Sequence, residues 1–435
     1  MSLMTSRPSI LVVGAGYVGL ATAVFLADEG YSVSVIEKNA YTVESLQHGH
    51  LHFREPLLQK KLRQVLKKKK LQLSCPIEKL YQNSQFVFIA IDSADPITGK
   101  MRLADFERMA RWIGDVKTKS PPTVVLKSTN VIGFAEEFQG LLNKTAHGSR
   151  VRLVVNPEFL REGFAYEDTA HPWRIIIGVN EKTAAARLLR LYRSVYSRSI
   201  PTVVTNWKSA ELIKLASNVY LSHRLAFIHE IADFARNEDL DIEAVRQGIG
   251  LDPRIGLTYF EPGLGFGGSC LPKDCYLINS CEATANFQFK TARTALEINE
   301  RILDTLIERL RSKLGRLKGK KVSILGAAFK PEVDDTRGSQ AVKLALKLKR
   351  RGAKVAFFEP YLKQTEKLAE GSFPLADSLE AALQGASAVI IGTAHKQFRS
   401  VDPKYIAKLV KRRLVSDYFG IFNRTRWEKK GFEFI

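Results

Sequence analysis

The apolar positions at the start of the chain follow the order strand, glycine turn, helix, strand. The segment SILVVGAG is typical of a buried strand, YVGLATAVFLADEG has helical spacing, and YSVSVIEK alternates apolar and polar residues. Further strand-like runs follow at SQFVFIAI, PTVVLKST and VRLVVNPEFL, with helix-like segments between them. This pattern predicts a doubly wound parallel sheet over about the first 200 residues.

The pattern changes to helical periodicity from Lys208 to about Leu314. The segment SAELIKLASNVYLSHRLAFIHEIADFARNE is apolar around more of its circumference than a surface helix, which favours burial on several sides, one of them against a second subunit. After the basic linker GRLKGKK, strand signals return at KVSILGAAF, AKVAFFEP, ASAVIIGTA and RLVSDYF. We therefore expect an α/β fold of two Rossmann-like doubly wound domains joined by a helical central domain, with boundaries at 1–205, 206–315 and 316–435.

Composition and charge narrow the class of protein. With 435 residues, 45% hydrophobic and 26% charged, the chain is an ordinary multidomain globular protein. No apolar run approaches the roughly 18 residues of a membrane span and no signal-peptide pattern opens the chain, so we expect a soluble, cytoplasmic protein. The net charge of +21 allows nucleic acid or an anionic membrane as partner, and equally a small anionic substrate. Because the charge is spread out and no nucleic-acid module is recognisable, we favour the substrate and expect neither other partner.

The glycines of GAGYVG carry the first chemical signal. Gly14 permits a tight turn, Gly16 lets a pyrophosphate approach the backbone, and Gly19 lets the helix pack on the strand. Glu37, at the end of the next strand, can accept a hydrogen bond from a ribose 2′-hydroxyl and would repel a 2′-phosphate. The sequence therefore predicts NAD rather than NADP as cofactor, the alternative being a glycine turn with only a structural role.

A second glycine-rich loop, GLGFGGSCLPKD, presents Cys270. Its glycines are expected where the backbone approaches a ligand, and Lys273 and Asp274 follow within four residues, so Cys270 is a candidate nucleophile. The alternative is a surface turn with an inert thiol. The chain's cysteines show neither zinc-ligand nor disulfide spacing, so we expect thiols and no metal site. They are Cys75, Cys270, Cys275 and Cys281.

Two polar pairs complete the candidates. Lys214 and Asn218 lie four residues apart on a predicted helix and therefore on one face, where an ammonium and an amide can hold an oxyanion. Glu158 and Glu162 in NPEFLREG follow a predicted strand end, where open α/β sheets bind ligands, and one of them could act as a base. The alternatives are a solvated helix face for the first pair and a charged loop for the second.

Together, the motifs GAGYVGL, NPEFLREG, KLASN, GFGGSCLPKD and AFKPEVDDTR resemble, in order and separation, the nucleotide-sugar dehydrogenases of the UDP-glucose/GDP-mannose dehydrogenase family. The resemblance covers nearly the whole chain. The segment GLDPRIG looks most like the UDP-glucose 6-dehydrogenases. The resemblance implies oxidation of a sugar primary alcohol to a carboxylate, with UDP-glucose as substrate, GDP-mannose as the alternative, and a non-catalytic nucleotide-sugar sensor as the rival function.

The resemblance also implies the residue roles. Cys270 would trap the aldehyde as a thiohemiacetal that becomes a thioester, Lys214 and Asn218 would stabilise oxyanions, and Asp274 would assist proton transfer. Glu158 would activate the hydrolytic water beside Thr129. A homodimer through the helical domain is implied as well. The cofactor set is Gly14, Gly16, Tyr17, Val18, Gly19, Glu37, Thr129, Glu162, Lys273 and Arg337, and the substrate set is Glu158, Phe159, Leu160, Arg161, Glu162, Lys214, Asn218, Arg254, Phe266, Gly267, Gly268 and Lys330.

The chain departs from the family pattern at two places. The family commonly has a Thr-Pro turn lining the cofactor where this chain has Asp92 and Ser93 in IAIDSADPITGK. Near the C-terminus the family often has DGRN, whose arginine touches the nucleotide, where this chain has SDYFGIFN at Ser416–Asn423. The first departure bears on how NAD is held at that edge, and the second leaves the identity of the base and of the sugar open.

Overall fold

The computed structural model describes residues 7–75, 78–95, 99–118, 120–282, 286–362, 368 and 373–435, except for the side chain of Glu78. These residues form two compact units. The first takes the described residues up to Asp95 together with Lys100–Ala216, and the second takes Gly99 and Ser217–Ile435. One long helix begins in the first unit and continues into the second.

The first unit is built on an eight-stranded sheet in the order β3-β2-β1-β4-β5-β6-β7-β8. Its strands are β1 Ile10–Val13, β2 Val33–Ile36, β3 Leu71–Ser74, β4 Phe86–Ile89, β5 Thr123–Leu126, β6 Arg152–Val155, β7 Ile175–Gly178 and β8 Thr202–Thr205. Its helices are α1 Tyr17–Asp28, α2 Ala40–Gln47, α3 Pro56–Lys67, α4 Glu78–Gln82, α5 Leu103–Asp115, α6 Phe134–Asn143, α7 Ala165–Ala170 and α8 Lys182–Val195, with a 3-10 turn at Gly148–Arg150.

Helices cover both faces of this sheet, so strands such as β1, β4, β5 and β7 are buried on both sides. Val125 of β5 packs in one core with Leu188 of α8, and the adjacent Val124 packs in the opposite core with Phe138 of α6. The strands pair in parallel except for β6 and β7, which are antiparallel. The predicted doubly wound sheet is confirmed, with this one antiparallel pairing as an addition.

The second unit combines long helices with a five-stranded parallel sheet in the order β10-β9-β11-β12-β13. Its strands are β9 Lys321–Leu325, β10 Lys354–Phe358, β11 Ala388–Ile391, β12 Leu414–Ser416 and β13 Glu433–Phe434. The helices from the shared one onward are α9 Trp207–Asn237, α10 Ile242–Gly250, α11 Leu271–Ser280, α12 Lys290–Leu314, α13 Gln340–Arg350, α14 Leu379–Leu383, α15 Pro403–Leu409 and α16 Arg424–Glu428, with a 3-10 turn at Lys396–Ser400.

These elements confirm the expected fold class of two Rossmann-like α/β domains with a helical region between them in the sequence. The three-part division at 205/206 and 315/316 stays a prediction. Helix α9 exposes Tyr220, Phe227 and Phe234, which follow one another at heptad spacing along one stripe of the helix. Among the described residues, no helix combines the length and the apolar character needed to cross a bilayer.

Candidate functional site

The turn between β1 and α1 is shaped for a phosphate-bearing ligand. Gly14 has a φ of +98°, and a Cβ added there would lie 2.5 Å from the carbonyl oxygen of Ala90, so the position requires glycine. A Cβ added at Gly16 would meet no described atom within 4 Å, so the space in front of the helix is open. No described side chain caps α1, which leaves its first backbone N–H groups directed toward that space.

Glu37 lies beside this turn, at the end of β2. Its Oε2 accepts the backbone N–H of Ala15 at 3.1 Å and its Oε1 accepts the N–H of Asn39 at 3.0 Å. A carboxylate held in this way keeps further lone pairs for a ribose hydroxyl. Tyr17, at the helix start, stacks on Phe53 with ring centroids 3.9 Å apart, and the next residue, Val18, is half-buried. Glycine turn, open helix start and carboxylate together fit NAD.

A buried ion pair lies beyond the carboxyl end of β6. Oε1 of Glu158 is 2.9 Å from Nζ of Lys214 on α9, and both side chains are buried. Oε2 of Glu158 accepts the N–H of Leu160 at 2.6 Å. The ring of Phe159 lies under the ammonium, with its centroid 5.4 Å from Nζ of Lys214. These contacts fix the carboxylate at the sheet edge where ligands bind in open α/β sheets.

Lys127 is a third charged group beside this pair, and the sequence analysis missed it. It follows β5 directly, is buried, and donates from Nζ to Oδ1 of Asn156 at 3.0 Å. Asn156 is itself held by the hydroxyl of Tyr192, at 2.5 Å from Oδ1, and by the carbonyl of Ile176, at 2.7 Å from Nδ2. The signal that could have found Lys127 is a lysine placed immediately after a fully apolar strand, at the ligand-binding edge.

The three charges change each other's protonation. Burial alone would raise the pKa of Glu158, but the charge of Lys214, the N–H of Leu160 and the charge of Lys127 together hold that pKa below its ordinary value. Burial lowers the pKa of Lys127 to about 8, where attraction to Glu158 offsets part of the effect and repulsion from Lys214 adds to it. One carboxylate between two ammonium groups leaves the cluster positive at neutral pH, which suits it to stabilise a developing oxyanion.

In the second unit, Cys270 stands immediately before α11 and is exposed. Oγ of Ser269 lies 3.7 Å from its Sγ. Cys270 is the N-cap residue of α11, so the positive end of the helix dipole lies at its backbone. Among the described residues, Cys75, Cys270, Cys275 and Cys281 form no disulfide.

Asp274 lies one helical turn after Cys270 and anchors the loop that carries this cysteine. It is completely buried, its N–H donates to the carbonyl of Cys270 at 2.9 Å, and its carboxylate accepts Nδ2 of Asn218 at 2.5 Å. Nζ of Lys273 lies 2.6 Å from the other carboxylate oxygen. The structure therefore brings Asn218, Lys273 and Asp274 together beside Cys270, and it directs the ammonium of Lys273 to the aspartate.

The glycines before Cys270 are required by packing within the chain. Gly268 has a φ of +84°, and a Cβ there would lie 2.7 Å from the ring of Phe329. A Cβ on Gly267 would lie 2.4 Å from the carbonyl oxygen of Gly338. The cysteine loop thus rests directly on the AFKPEVDDTRG loop, and this close approach requires glycine at both positions. The side chain of Phe266 lies in the hydrophobic core of the same unit.

The other predicted residues have these surroundings. Thr129 is half-buried, and its carbonyl accepts the hydroxyl of Ser93. Arg161 forms a bidentate pair with Asp168, with nitrogen–oxygen distances of 2.9 and 2.7 Å. Glu162 follows in the same turn and is half-buried.

Three predicted residues of the second unit remain, two arginines and one lysine. Arg254 is exposed and pairs with Asp252 at 2.6 Å, and Arg337 pairs in the same way with Asp335 at 2.6 Å. Nζ of Lys330 lies 5.6 Å from the ring centroid of Phe329. Among the described residues, no group of three or more metal-ligating side chains is placed to hold an ion.

The two departures from the family pattern have defined structures where they are described. Ser93, buried, ties its segment to Thr129, whereas residues 96–98 of the same segment lie outside the described residues. Tyr418, in place of the family's common DGRN segment, is buried with the guanidinium of Arg236 3.7 Å from its ring centroid. The hydroxyl of Tyr418 accepts a hydrogen bond from Nη1 of Arg309 at 2.6 Å.

Three family models match consecutive parts of the chain. They are described as the NAD binding domain, the central domain and the UDP binding domain of the UDP-glucose/GDP-mannose dehydrogenase family, and they match residues 8–196, 208–301 and 323–424. A UDP-glucose 6-dehydrogenase of Rhizobium meliloti (strain 1021) is 32% identical over 98% of this chain and 98% of its own.

Solved structures show the same likeness. A UDP-glucose dehydrogenase from Pyrobaculum islandicum is 32% identical with a TM-score of 0.88, over 99% of this chain and 97% of its own. A UDP-D-ManNAc dehydrogenase from Pyrococcus horikoshii is 28% identical with a TM-score of 0.85, over 98% of both chains. Similarity of fold therefore extends to dehydrogenases named for different sugars.

Proposed function

This chain belongs to the UDP-glucose/GDP-mannose dehydrogenase family, and on that premise we propose that it oxidises the primary alcohol of UDP-glucose to the carboxylate of UDP-glucuronate through a covalent intermediate on Cys270. The single observation that carries the proposal is the cluster at the start of α11. An exposed thiol there precedes by one turn a buried aspartate that holds Asn218 and Lys273. A nucleotide-binding protein without chemistry has no need of that arrangement.

NAD supplies the hydride acceptor when bound, and the reaction consumes two NAD molecules in sequence, one for each of the two oxidations. Between the two oxidations, Sγ of Cys270 bonds to the aldehyde carbon, and the carbonyl oxygen takes up the thiol proton to give a thiohemiacetal. The second oxidation leaves a thioester on Cys270. Water then adds to the thioester carbon, the carbon–sulfur bond breaks, and the thiolate departs as the carboxylate forms. From the thiohemiacetal to the thioester the sugar stays bonded to Cys270, so the aldehyde need not escape.

The Glu158 cluster is assigned to oxyanions and to the hydrolytic water. Glu158 is ionised at neutral pH because Lys214 and Lys127 hold its pKa low, so it is ready to accept a proton from water. As Glu158 takes that proton, its attraction for Lys214 weakens, and the ammonium becomes available to the oxygen that gains charge. Asn218, kept in place by Asp274, is assigned to the same task as an amide donor. Thr129 is proposed to line the water's position.

We assign the nucleotide-sugar contacts as the family resemblance implies. Arg161, Glu162, Arg254 and Lys330 would hold the substrate, and Arg337 would approach NAD. In the structure, Arg161, Arg254 and Arg337 each pair with an aspartate close by in the sequence, so a ligand phosphate or hydroxyl would share or replace that aspartate. A homodimer is proposed through the exposed stripe of Tyr220, Phe227 and Phe234 on α9.

The substrate choice is tested with a panel of nucleotide sugars. Purified protein with NAD is given UDP-glucose, UDP-N-acetylmannosamine and GDP-mannose separately. The formation of NADH is followed by its absorbance at about 340 nm. We expect the highest kcat/KM with UDP-glucose and two NADH for each sugar oxidised. Turnover of GDP-mannose alone would overturn the substrate choice, and no NADH with any sugar would favour the non-catalytic sensor.

A further inference from the structure

The backbone of Phe266, four residues before Cys270, is held by a buried side chain of helix α12. Oδ1 of Asn299 accepts the N–H of Phe266 at 2.7 Å, and Nδ2 of Asn299 donates to the carbonyl oxygen of Phe266 at 2.9 Å. Asn299 is only 1% exposed, so water does not compete for these two hydrogen bonds. The amide of Asn299 thus satisfies both backbone polar groups of Phe266, and we call this pair of bonds the Phe266 clamp.

The clamp places a polar group in apolar surroundings. Asn299 is flanked along α12 by Ile298 and Ile302, which belong with the side chain of Phe266 to one hydrophobic core. A buried amide is costly unless its polar atoms are bonded, and an apolar side chain would carry no such cost. Gly265, directly before Phe266, has a φ of +112°, a conformation outside helices and strands. Because the loop cannot bond there as regular structure does, the backbone of Phe266 needs a partner such as the amide of Asn299.

A second buried amide ties the clamp to the start of α13. Nε2 of Gln340 donates to the backbone carbonyl oxygen of Asn299 at 2.9 Å and to that of Leu264 at 3.4 Å. A Cβ added at Gly265 would lie 2.3 Å from Oδ1 of Asn299 and 2.5 Å from Nε2 of Gln340. Both amides therefore lie directly against the backbone of the cysteine loop. Gln340 follows the AFKPEVDDTRG loop closely in the sequence, so this contact fixes the cysteine loop relative to that loop as well.

The clamp acts on Cys270 through a short and closely packed segment. Gly267 and Gly268 follow Phe266, and a Cβ added at either would lie within 2.7 Å of another part of the chain. On the other side of the thiol, the N–H of Asp274 donates to the carbonyl oxygen of Cys270 at 2.9 Å. Cys270 is thus held from both directions along the chain. A nucleophile depends on such placement, because a misplacement of about 1 Å can lower a rate by about a hundredfold.

We propose that Asn299 is a positioning residue for the reaction, which sets the place of Cys270 through the backbone of Phe266, and that Gln340 supports it. This role rests on the proposed function, in which Sγ of Cys270 bonds to the aldehyde carbon. A glycine-rich segment has many accessible backbone conformations, and the clamp selects one of them. Loss of the clamp should therefore slow the steps that occur at Cys270 and leave NAD binding at the Gly14 turn unchanged.

The proposal is tested with Asn299→Leu, which keeps the branched shape of the side chain and leaves both polar groups of Phe266 unpaired. Hydrogen–deuterium exchange of the peptide covering residues 262–272 should become about tenfold faster, since the N–H of Phe266 loses its acceptor. With the sugar that the panel selects, kcat should fall about tenfold or more, because the thiol is misplaced. The KM for NAD should change by less than about twofold, which separates this effect from a general loss of structure.

Two further variants accompany it. Gln340→Met keeps the side-chain length and removes the donor to Asn299, so exchange and kcat should change in the same directions by about threefold. This variant decides the proposal if Asn299→Leu does not fold. Ser323→Ala is the matched control, because it removes a buried hydrogen bond elsewhere in the same unit, from Oγ of Ser323 to the carbonyl oxygen of Ala382 at 2.5 Å. It should leave both the exchange of the loop peptide and kcat unchanged.

Each outcome decides one step of the proposal. Unchanged exchange of the loop peptide in Asn299→Leu would overturn the clamp. Faster exchange with an unchanged kcat would show that the clamp is structural only and would overturn the positioning role, as would an equal fall of kcat in Ser323→Ala. If the unmodified protein forms no NADH with any sugar, the proposed function fails and the positioning role fails with it, whereas the exchange measurement still decides whether Asn299 holds the loop.

Discussion

The ammonium of Lys214 and the carboxylate of Glu158 form a buried ion pair with an Nζ–Oε1 distance of 2.9 Å, although the two residues are 56 positions apart in the sequence. Removing one partner of such a pair leaves the other as an uncompensated buried charge. Neutral variants of this pair therefore report on chemistry only when folding is measured beside activity.

Glu158→Gln is expected to stop the reaction after both oxidations. Without a base for water, NADH should appear in a burst of about two equivalents per site and then stall, while a thioester accumulates on Cys270. Mass spectrometry of the quenched protein detects the adduct. Glu136→Gln, which breaks the exposed pair of Glu136 with Lys208, is the control and should turn over normally. Steady turnover of Glu158→Gln without a burst would remove Glu158 from the role of base.

Lys127→Met is expected to shift the acidic limb of the kcat profile toward higher pH. The charge of Lys127 is one of the causes that hold the pKa of Glu158 low, so the loss of this charge should let that pKa rise. A larger fraction of Glu158 is then protonated at a given acidic pH. The measurement is kcat against pH beside the thermal midpoint of each protein. An equal loss of activity at every pH would instead indicate a structural role for Lys127.

Cys270→Ser should abolish steady NADH production while NAD still binds. A serine hydroxyl is a weaker nucleophile than a thiolate, and its ester would be a poorer intermediate to hydrolyse. Cys75→Ser is the matched control, because Cys75 is also exposed. Wild-type turnover by Cys270→Ser, measured with the sugar that the panel selects, would contradict covalent catalysis at this residue.

Glu37 should favour NAD over NADP by at least about tenfold in kcat/KM, since its carboxylate would lie against the extra phosphate. Glu37→Gln should reduce that ratio, because the amide no longer repels a phosphate while it can still bond the ribose. The two cofactors are compared at a fixed sugar concentration. Equal efficiencies in the unmodified protein would show that Glu37 does not meet the ribose.

His229 should make the protein less stable as the pH falls below neutrality. Burial, with a contribution from Arg236, lowers its pKa to about 3. Below pH about 6.5 the unfolded chain therefore gains a proton that the folded chain does not bind, and the free energy of unfolding falls by about 1.4 kcal/mol per pH unit from this group. The contribution of His229 to the free energy of unfolding is fully present at pH values above the pKa of this histidine in the unfolded chain.

The measurement for His229 is the urea midpoint at pH 7 and pH 5.5. His229→Gln should lose less stability over this interval than the unmodified protein, whereas His50→Gln, at an exposed site, should behave as the unmodified protein does. Identical slopes for His229→Gln and the unmodified protein would show that folded His229 accepts its proton near the ordinary pKa.

The sequence by itself determined the parts whose information is local. The strand, turn and helix around Gly14 follow from a period change within about 30 residues, and the structure has them where the pattern predicts. The long helix α9 and the returning strands β9 to β12 were recognisable in the same way. The roles of Cys270, Lys214 and Glu158 in catalysis stay predictions, carried by motif order and by the family to which the chain belongs.

Only the tertiary structure decided which charges meet. Nothing in the spacing of LKST marks Lys127 as a neighbour of Glu158, because β5 and β6 come together through sheet pairing. The antiparallel direction of β7 was equally hidden, since an apolar run such as RIIIG looks the same in either direction. The glycines before Cys270 were predicted to approach a ligand, and the structure shows them against Phe329 and Gly338. Periodicity reports the face that a residue occupies, whereas its partner is fixed by contacts distant in the chain.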